Sequence, residues 1–163
     1  MTVFTYHATP IGDLLLVGDP RPDGRVDLRG LYMEEHRHGP KVDPAWARED
    51  APFAEVERQL DEYFAGTRRT FDLPLAPRGT PFQQAVWMQL REIPMGETTT
   101  YGTLAARIGK PNASRAVGAA VGRNPISIIV PCHRVVGSDG SLTGFAGGLV
   151  RKEHLLGIER PGA

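Results

Sequence analysis

The sequence predicts an α+β protein in two domains: a small N-terminal sheet-plus-helix domain over residues 1–76, then a mostly helical C-terminal domain with a helix-turn-helix over residues 77–163. Three observations predict it. Strand-like runs bounded by turn residues are confined to the first third of the chain, a Pro- and Gly-containing stretch interrupts it from Phe71 to Thr80, and short helical patterns follow. With 163 residues and 40% hydrophobic content, the chain has enough apolar material for ordinary globular cores.

Val3-Phe4-Thr5-Tyr6 and Leu14-Leu15-Leu16-Val17, separated by Pro10-Ile11-Gly12-Asp13, read as two strands and a turn, and Val26 to Met33 can supply a third strand. From Pro52 to Phe64, apolar Phe53, Val56, Leu60 and Phe64 recur every three or four residues, which predicts a helix with Glu55, Glu57, Arg58 and Asp61 facing water. His36 and His38 lack a nearby cysteine or a second matched pair, so they read as loop residues rather than metal ligands. After the boundary, Thr80-Pro81 has the N-cap plus first-turn proline arrangement, and Phe82, Val86, Trp87 and Leu90 form an apolar stripe. Tyr101 to Gly109 follows as a short helix. Ser114 can cap the next, Arg115 to Val121, whose face of Ala and Gly is short-chained. Two brief helices around a tight turn fit a helix-turn-helix, and the short face suits either close approach to another surface or close packing inside the protein.

Charge divides as the elements do. Residues 1–80 hold 10 Lys+Arg and 14 Asp+Glu, or −4, whereas residues 81–163 hold 9 and 5, or +4. The second half has the sign expected for contact with a polyanion, although solvated faces carry such charges too. No run of about 18 apolar residues spans a bilayer, and Met1 to Tyr6 lacks the pattern of a signal peptide, so a cytoplasmic location is expected.

The chain has one cysteine, Cys132, in Ile128-Ile129-Val130-Pro131-Cys132-His133-Arg134-Val135-Val136. A lone thiol forms no intramolecular disulfide and no thiolate-rich zinc site, which leaves packing or reactivity. A proline before it, and an imidazole and a guanidinium after it, form an electropositive setting that lowers a thiol pKa, so a reactive nucleophile is expected.

With the helix-turn-helix, Asn124-Pro125, the Pro131-Cys132-His133-Arg134 run and the later glycine-rich stretch in this order, the chain resembles the O6-alkylguanine-DNA alkyltransferases. The match is strongest from Thr80 to Glu159. In the first eighty residues it rests on Thr9-Pro10-Ile11-Gly12 and Tyr63-Phe64-Ala65-Gly66, and it implies an RNase H-like N-terminal domain.

The resemblance implies DNA repair by irreversible, stoichiometric transfer of an alkyl group from O6-alkylguanine, and from O4-alkylthymine, in duplex DNA to Cys132. It implies that His133 takes the thiol proton through a water, that Glu153 supports the imidazole, and that Asn124 steadies the turn carrying the thiol. Tyr101 would donate to guanine N3, and Arg115 would occupy the space of an extruded nucleotide. Ser114, Ala116, Ala119 and Ala120 would face the DNA in its minor groove with weak sequence preference. Backbone groups at Cys132, Val135 and Ala146 would read the base edge beside Phe145. No cofactor and no metal is implied, and the expected partner is damaged double-stranded DNA, met by a monomer with cooperative assembly left open.

Three positions depart from the family pattern. Phe145 and Ala146 stand where many relatives carry tyrosine and serine or glycine, and Ser127 where proline or alanine is frequent. The width of the pocket is thereby left open. Alternatives are an alkyltransferase-like sensor, whose relatives lack the cysteine; a turning-over Cys-His hydrolase, which needs an oxyanion hole; and a DNA-binding module with an inert thiol.

Overall fold

The computed structural model describes residues 1–34 and 39–160; His36 and His38, read above as loop residues, lie outside them. Val3–Thr9 (β1) and Gly12–Pro20 (β2) pair antiparallel from Thr9↔Gly12 to Val3↔Gly18, and Val26–Met33 (β3) adds to the other edge of β2. Gly12 closes the first turn at φ 103°, a conformation that side-chain-bearing residues rarely adopt. A two-residue strand, Ala47–Arg48 (β4), runs parallel to β1, giving the order β3-β2-β1-β4. That fourth strand is too short to leave a periodic signal in the sequence.

Ala54–Phe64 (α1) covers the sheet with Val56, Leu60 and Tyr63, and Phe53 precedes it in a 3-10 turn. The expected stripe is therefore shifted at its end, because Tyr63 is buried where Phe64 was expected and Phe64 is only partly covered. The Pro-rich boundary stretch forms no named element. It crosses β3 instead, as Leu28 N–H donates to Pro74 O and Ala76 N–H donates to Leu28 O.

Pro81–Arg91 (α2) begins as expected: Thr80 Oγ1 accepts from Gln83 N–H, and Gln83 Oε1 accepts from Thr80 N–H. Thr99–Thr100 (β5) leads into Tyr101–Arg107 (α3), whose N-cap Thr100 accepts from Thr103 N. Ser114–Gly122 (α4) follows. Ser114 is not its cap; it is the first helical residue, Ala113 precedes it, and no side chain caps the end. Trp87, Val117 and Val121 are buried in the core of this half.

Val135–Val136 (β6) pairs parallel with β5, and Leu149–Glu159 (α5) completes the described chain. The two halves are joined by backbone as well as by side chains. Leu31 N–H donates to Pro125 O at 2.8 Å, and Ser127 N–H donates to Leu31 O at 3.2 Å. Arg151 Nη1 reaches Glu34 O at 2.6 Å, and Arg151 Nε reaches Ile11 O at 3.1 Å. Among the described residues, no helix is long and apolar enough to cross a membrane.

Candidate active site

Cys132 lies at the end of a buried, irregular segment. Every residue from Ile126 to Val136 is buried, yet only a 3-10 turn at Cys132–Arg134 and the short β6 are regular. Such a segment must find its hydrogen bonds elsewhere. Asn124 supplies two of them: its Oδ1 accepts from Ile126 N at 3.0 Å, and its Nδ2 donates to Val130 O at 2.8 Å. This is the turn-steadying geometry expected of Asn124. Ile128, between these anchors, has φ 72°, a strained conformation for a β-branched residue.

Cys132 is 5% exposed, and burial pushes its thiol pKa up; hydrogen bonding from Asn124 and the charge of Lys152 oppose the shift without cancelling it. The expectation of a lowered pKa from the flanking cations is corrected here. The Arg134 guanidinium does not face the sulfur as a free charge, since Nε donates to Glu159 Oε1 at 2.8 Å and Nη1 to Ile93 O at 2.6 Å. A resting thiol of this kind needs a base to become a nucleophile.

The imidazole next to it fits that need. His133 is fully buried, and Nε2 lies 2.6 Å from Glu159 Oε2. Burial of Glu159 favours the neutral carboxyl, but hydrogen bonds from His133 and Arg134 outweigh it and hold the pKa at about 2. The ionised carboxylate only accepts, so Nε2 carries the hydrogen and Nδ1 keeps its lone pair. Nδ1 is buried without a hydrogen-bond partner among the described residues. Burial lowers the His133 pKa against the opposing effect of Glu159, which keeps the ring neutral and able to accept a proton.

Glu153 does not take the supporting role expected of it. It is exposed, whereas Glu159 is 1% exposed and touches the ring. Helical spacing separates the two. Lys152, Leu155 and Glu159 lie three and four residues apart on the buried face of α5, and Glu153 is turned about 100° from Lys152 toward solvent. That spacing is readable in the sequence and would have selected Glu159. Lys152 was likewise missed: its buried Nζ donates to Val135 O at 2.6 Å and to Thr143 O at 3.4 Å, tying β6 to the loop before α5.

A cleft of 570 Å³ is lined by Tyr101, Ser114, Arg115, Ala119, Phe145 and Ala146 among others. Cys132 is buried and is not part of its lining. Tyr101 Oη is 2.8 Å from Thr143 Oγ1, so this hydroxyl is held at the cleft wall. Arg115 is exposed at the start of α4, with Arg123 lining the same cleft at the other end. The short-chained face of α4 proves to be two faces. Ala119, Gly118 and Gly122 line the cleft, whereas Ala120 is buried and its carbonyl accepts from Trp87 Nε1 at 2.8 Å. Ala120 is thus corrected from a surface residue to a packing one. Ala116 is exposed but stands outside the cleft lining. Among the described residues, no group of three or more His, Cys, Asp or Glu is placed to hold a metal ion.

Comparison with known proteins agrees with this layout. Residues 2–77 match the ribonuclease-like domain of 6-O-methylguanine DNA methyltransferases, and residues 81–161 match the DNA-binding domain of the same family. A methylated-DNA--protein-cysteine methyltransferase from Methanosarcina acetivorans is 51% identical over 156 residues, covering 96% of this chain and 97% of the relative. One from Haemophilus influenzae is 46% identical over 160 residues, covering 96% and 86%. The crystal structure of a Mycobacterium tuberculosis OGT in complex with DNA superposes with a TM-score of 0.86 at 44% identity, covering 98% of this chain and 96% of that one. With both domain models matched in order and near-full-length relatives at about half identity, the chain belongs to the 6-O-methylguanine DNA methyltransferase family.

Proposed function

We propose that this protein repairs DNA by transferring the alkyl group of O6-alkylguanine, and of O4-alkylthymine, from duplex DNA to Cys132 Sγ, once per molecule. The observation that carries the reading is a buried thiol followed directly in sequence by an imidazole bonded to Glu159, in the same domain as a cleft walled by α3 and α4.

In the step itself, the Sγ–C bond forms as the C–O6 bond breaks. The thiol proton leaves through a bridging water to His133 Nδ1, and Glu159 stabilises the imidazolium that results. A water is needed because adjacent side chains point apart. Tyr101 donates toward N3 of the departing guanine, offsetting the charge that grows as O6 is released. The product is a thioether. Unlike a thioester it offers water no carbonyl carbon, so no second step restores the thiol, and the hydrolase alternative has no counterpart for its deacylation.

Reaching a thiol this deep requires the base to leave the stack. Arg115 fills the space the nucleotide vacates, and Gly118, Ala119 and Gly122 lie against the minor groove, where long side chains would not fit. Ser114 and Ala116 flank that contact. Backbone groups of Cys132, Val135 and Ala146 read the flipped base, with Phe145 at its side. The domain boundary is taken at residue 77, the protein acts as a monomer without a cofactor, and a reducing compartment such as the cytoplasm suits its unprotected thiol.

Intact-protein mass, measured after mixing with a duplex carrying one O6-methylguanine, tests the proposal. Wild type should gain one methylene equivalent and saturate at one per molecule, and Cys132→Ala should gain nothing while still binding the duplex. Tight binding without mass gain in the wild type would instead show a sensor with a structural thiol.

A further inference from the structure

We propose that Tyr63, supplied by the N-terminal domain, is a positioning residue for alkyl transfer: its hydroxyl fixes the Glu159 oxygen that orients His133. Tyr63 lies on α1 and Glu159 on α5, 96 residues apart, yet Tyr63 Oη donates to Glu159 Oε2 at 2.6 Å, and both residues are 1% exposed. The same Oε2 receives His133 Nε2, also at 2.6 Å. The N-terminal domain thus reaches the group that acts on the thiol proton, in addition to supporting the catalytic half.

The reason a third donor matters is competition for the carboxylate. Arg134 offers Glu159 a fork, with Nε 2.8 Å from Oε1 and Nη2 3.1 Å from Oε2, the bidentate geometry that guanidinium and carboxylate prefer. Left with Arg134 alone, the carboxylate would settle into that plane at the expense of its bond to His133. Tyr63 pulls Oε2 toward the side where the imidazole sits. Its own position is fixed, since its ring contacts Phe64 edge-on at 5.3 Å between centroids and lies 5.5 Å from Phe71. Burial and the Glu159 charge raise the Tyr63 pKa far above its ordinary value of 10, so it stays protonated and donates throughout the working pH range. The charged or titratable groups facing this pair are His133 and Arg134 from the 3-10 turn, with Lys152 of α5 acting on His133.

This inference rests on the transfer reaction proposed above, and its test is arranged to fail separately. Single-turnover methyl transfer from an O6-methylguanine duplex would be followed against pH for wild type and Tyr63→Phe. Losing one donor makes the carboxylate and the imidazole more basic. His133 then holds a proton at higher pH and cannot accept the one from Cys132, so the acid limb should move up by about one pH unit. The rate at neutral pH should fall about tenfold, with duplex affinity unchanged. Val56→Ala, which removes core packing from α1 two helical turns away from Tyr63, should lower Tm and leave the pH profile in place. Replacing Tyr63 by 3-fluorotyrosine keeps the ring and strengthens the donor, so it should move the limb down, and it covers the case in which Tyr63→Phe does not fold. An unchanged pH profile in these Tyr63 variants, or an equal shift in Val56→Ala, would overturn the proposal. Should wild type transfer no methyl group, the imidazole Nε2–H resonance of His133 still decides: a shift in the Tyr63 variants supports the positioning role, and an unmoved resonance refutes it.

Discussion

The N-terminal sheet is partly buried and the segment from Ile126 to Val136 wholly so, and the two satisfy their backbones in opposite ways. In β1, β2 and β3 each strand bonds its neighbour through a continuous ladder, interrupted only by a register shift at Val17/Gly18. In the thiol segment the partners are borrowed: the Asn124 side chain, Leu31 of β3, and turn bonds such as Val130 N to Ile126 O at 3.0 Å. A ladder spreads a loss over many similar bonds. A borrowed arrangement concentrates it, so single side chains in the second region carry larger effects than any in the first.

The largest expected difference is between the two glutamates of α5. Glu159→Gln leaves Arg134 and His133 buried against a neutral amide, which should destabilise the fold by about 3–5 kcal/mol and slow methyl transfer by roughly 100-fold. Glu153→Gln, on the exposed face, should stay within about 0.5 kcal/mol and transfer at the wild-type rate. Urea unfolding and single-turnover kinetics on both variants check the pair. Equal rates in the two would break the assignment of Glu159.

Next is Asn124→Ala. It removes both the acceptor for Ile126 N and the donor to Val130 O, two buried backbone groups with 3% exposure at the residue that served them. At about 1–3 kcal/mol for each of the two groups left unpaired, a cost of about 2–6 kcal/mol follows. Transfer should slow as well, because the strained Ile128 relaxes and the thiol moves. A thermal melt with no shift would show that water replaces the side chain.

The acid side of the stability profile sharpens the same contrast. Glu159 is held to about 2 against an ordinary value of 4.5, so the unfolded chain takes up this proton first as pH falls. Its stabilisation, on the order of 3 kcal/mol, is complete above 4.5 and is lost progressively between about 4.5 and 2. His133, also lowered from its ordinary 6.5, adds a loss of the same sign that begins below 6.5. The two titrate as a coupled pair, so a single broad acid transition is expected in denaturant midpoints measured from pH 7 to pH 3. In Glu159→Gln the part of that slope below 4.5 should vanish.

What the sequence revealed follows the same division. The turn-rich stretch from Gly18 to Gly24 placed β3 after it at Val26 to Met33, and the Thr80-Pro81 signal placed the start of α2, because local patterns determine local elements. The thiol stood out as the chain's single cysteine, whereas His133, Asn124, Tyr101 and Arg115 entered through the family resemblance. Tyr63 did neither, since its partner lies 96 residues away, and Glu159 was legible only through its place four residues after Leu155 on the buried face of α5. The thiol pKa was misjudged for a related reason. Adjacent Arg134 looked like a positive neighbour, but tertiary contacts commit its charge to Glu159 and leave burial as the dominant influence on the sulfur.

The smallest expected effect lies at the other end of the comparison. At Gly12, with φ 103° at the turn between β1 and β2, an added Cβ would come tightly to 3.3 Å from Glu34 Oε2, the far end of an exposed and movable side chain. Gly12→Ala therefore meets backbone strain without a serious clash, and the cost should be about 1–2 kcal/mol. For a chain of this length that is a Tm drop of roughly 2–4 °C per kcal/mol. The ladder beyond Thr9↔Gly12 keeps its register through six further pairs, so the strain stays in the turn and methyl transfer should proceed at the wild-type rate. A slowed transfer in this variant would mean that the contact of Arg151 with Ile11 O carries the disturbance from the turn to α5, and the sheet would then belong to the catalytic arrangement more widely than through Tyr63.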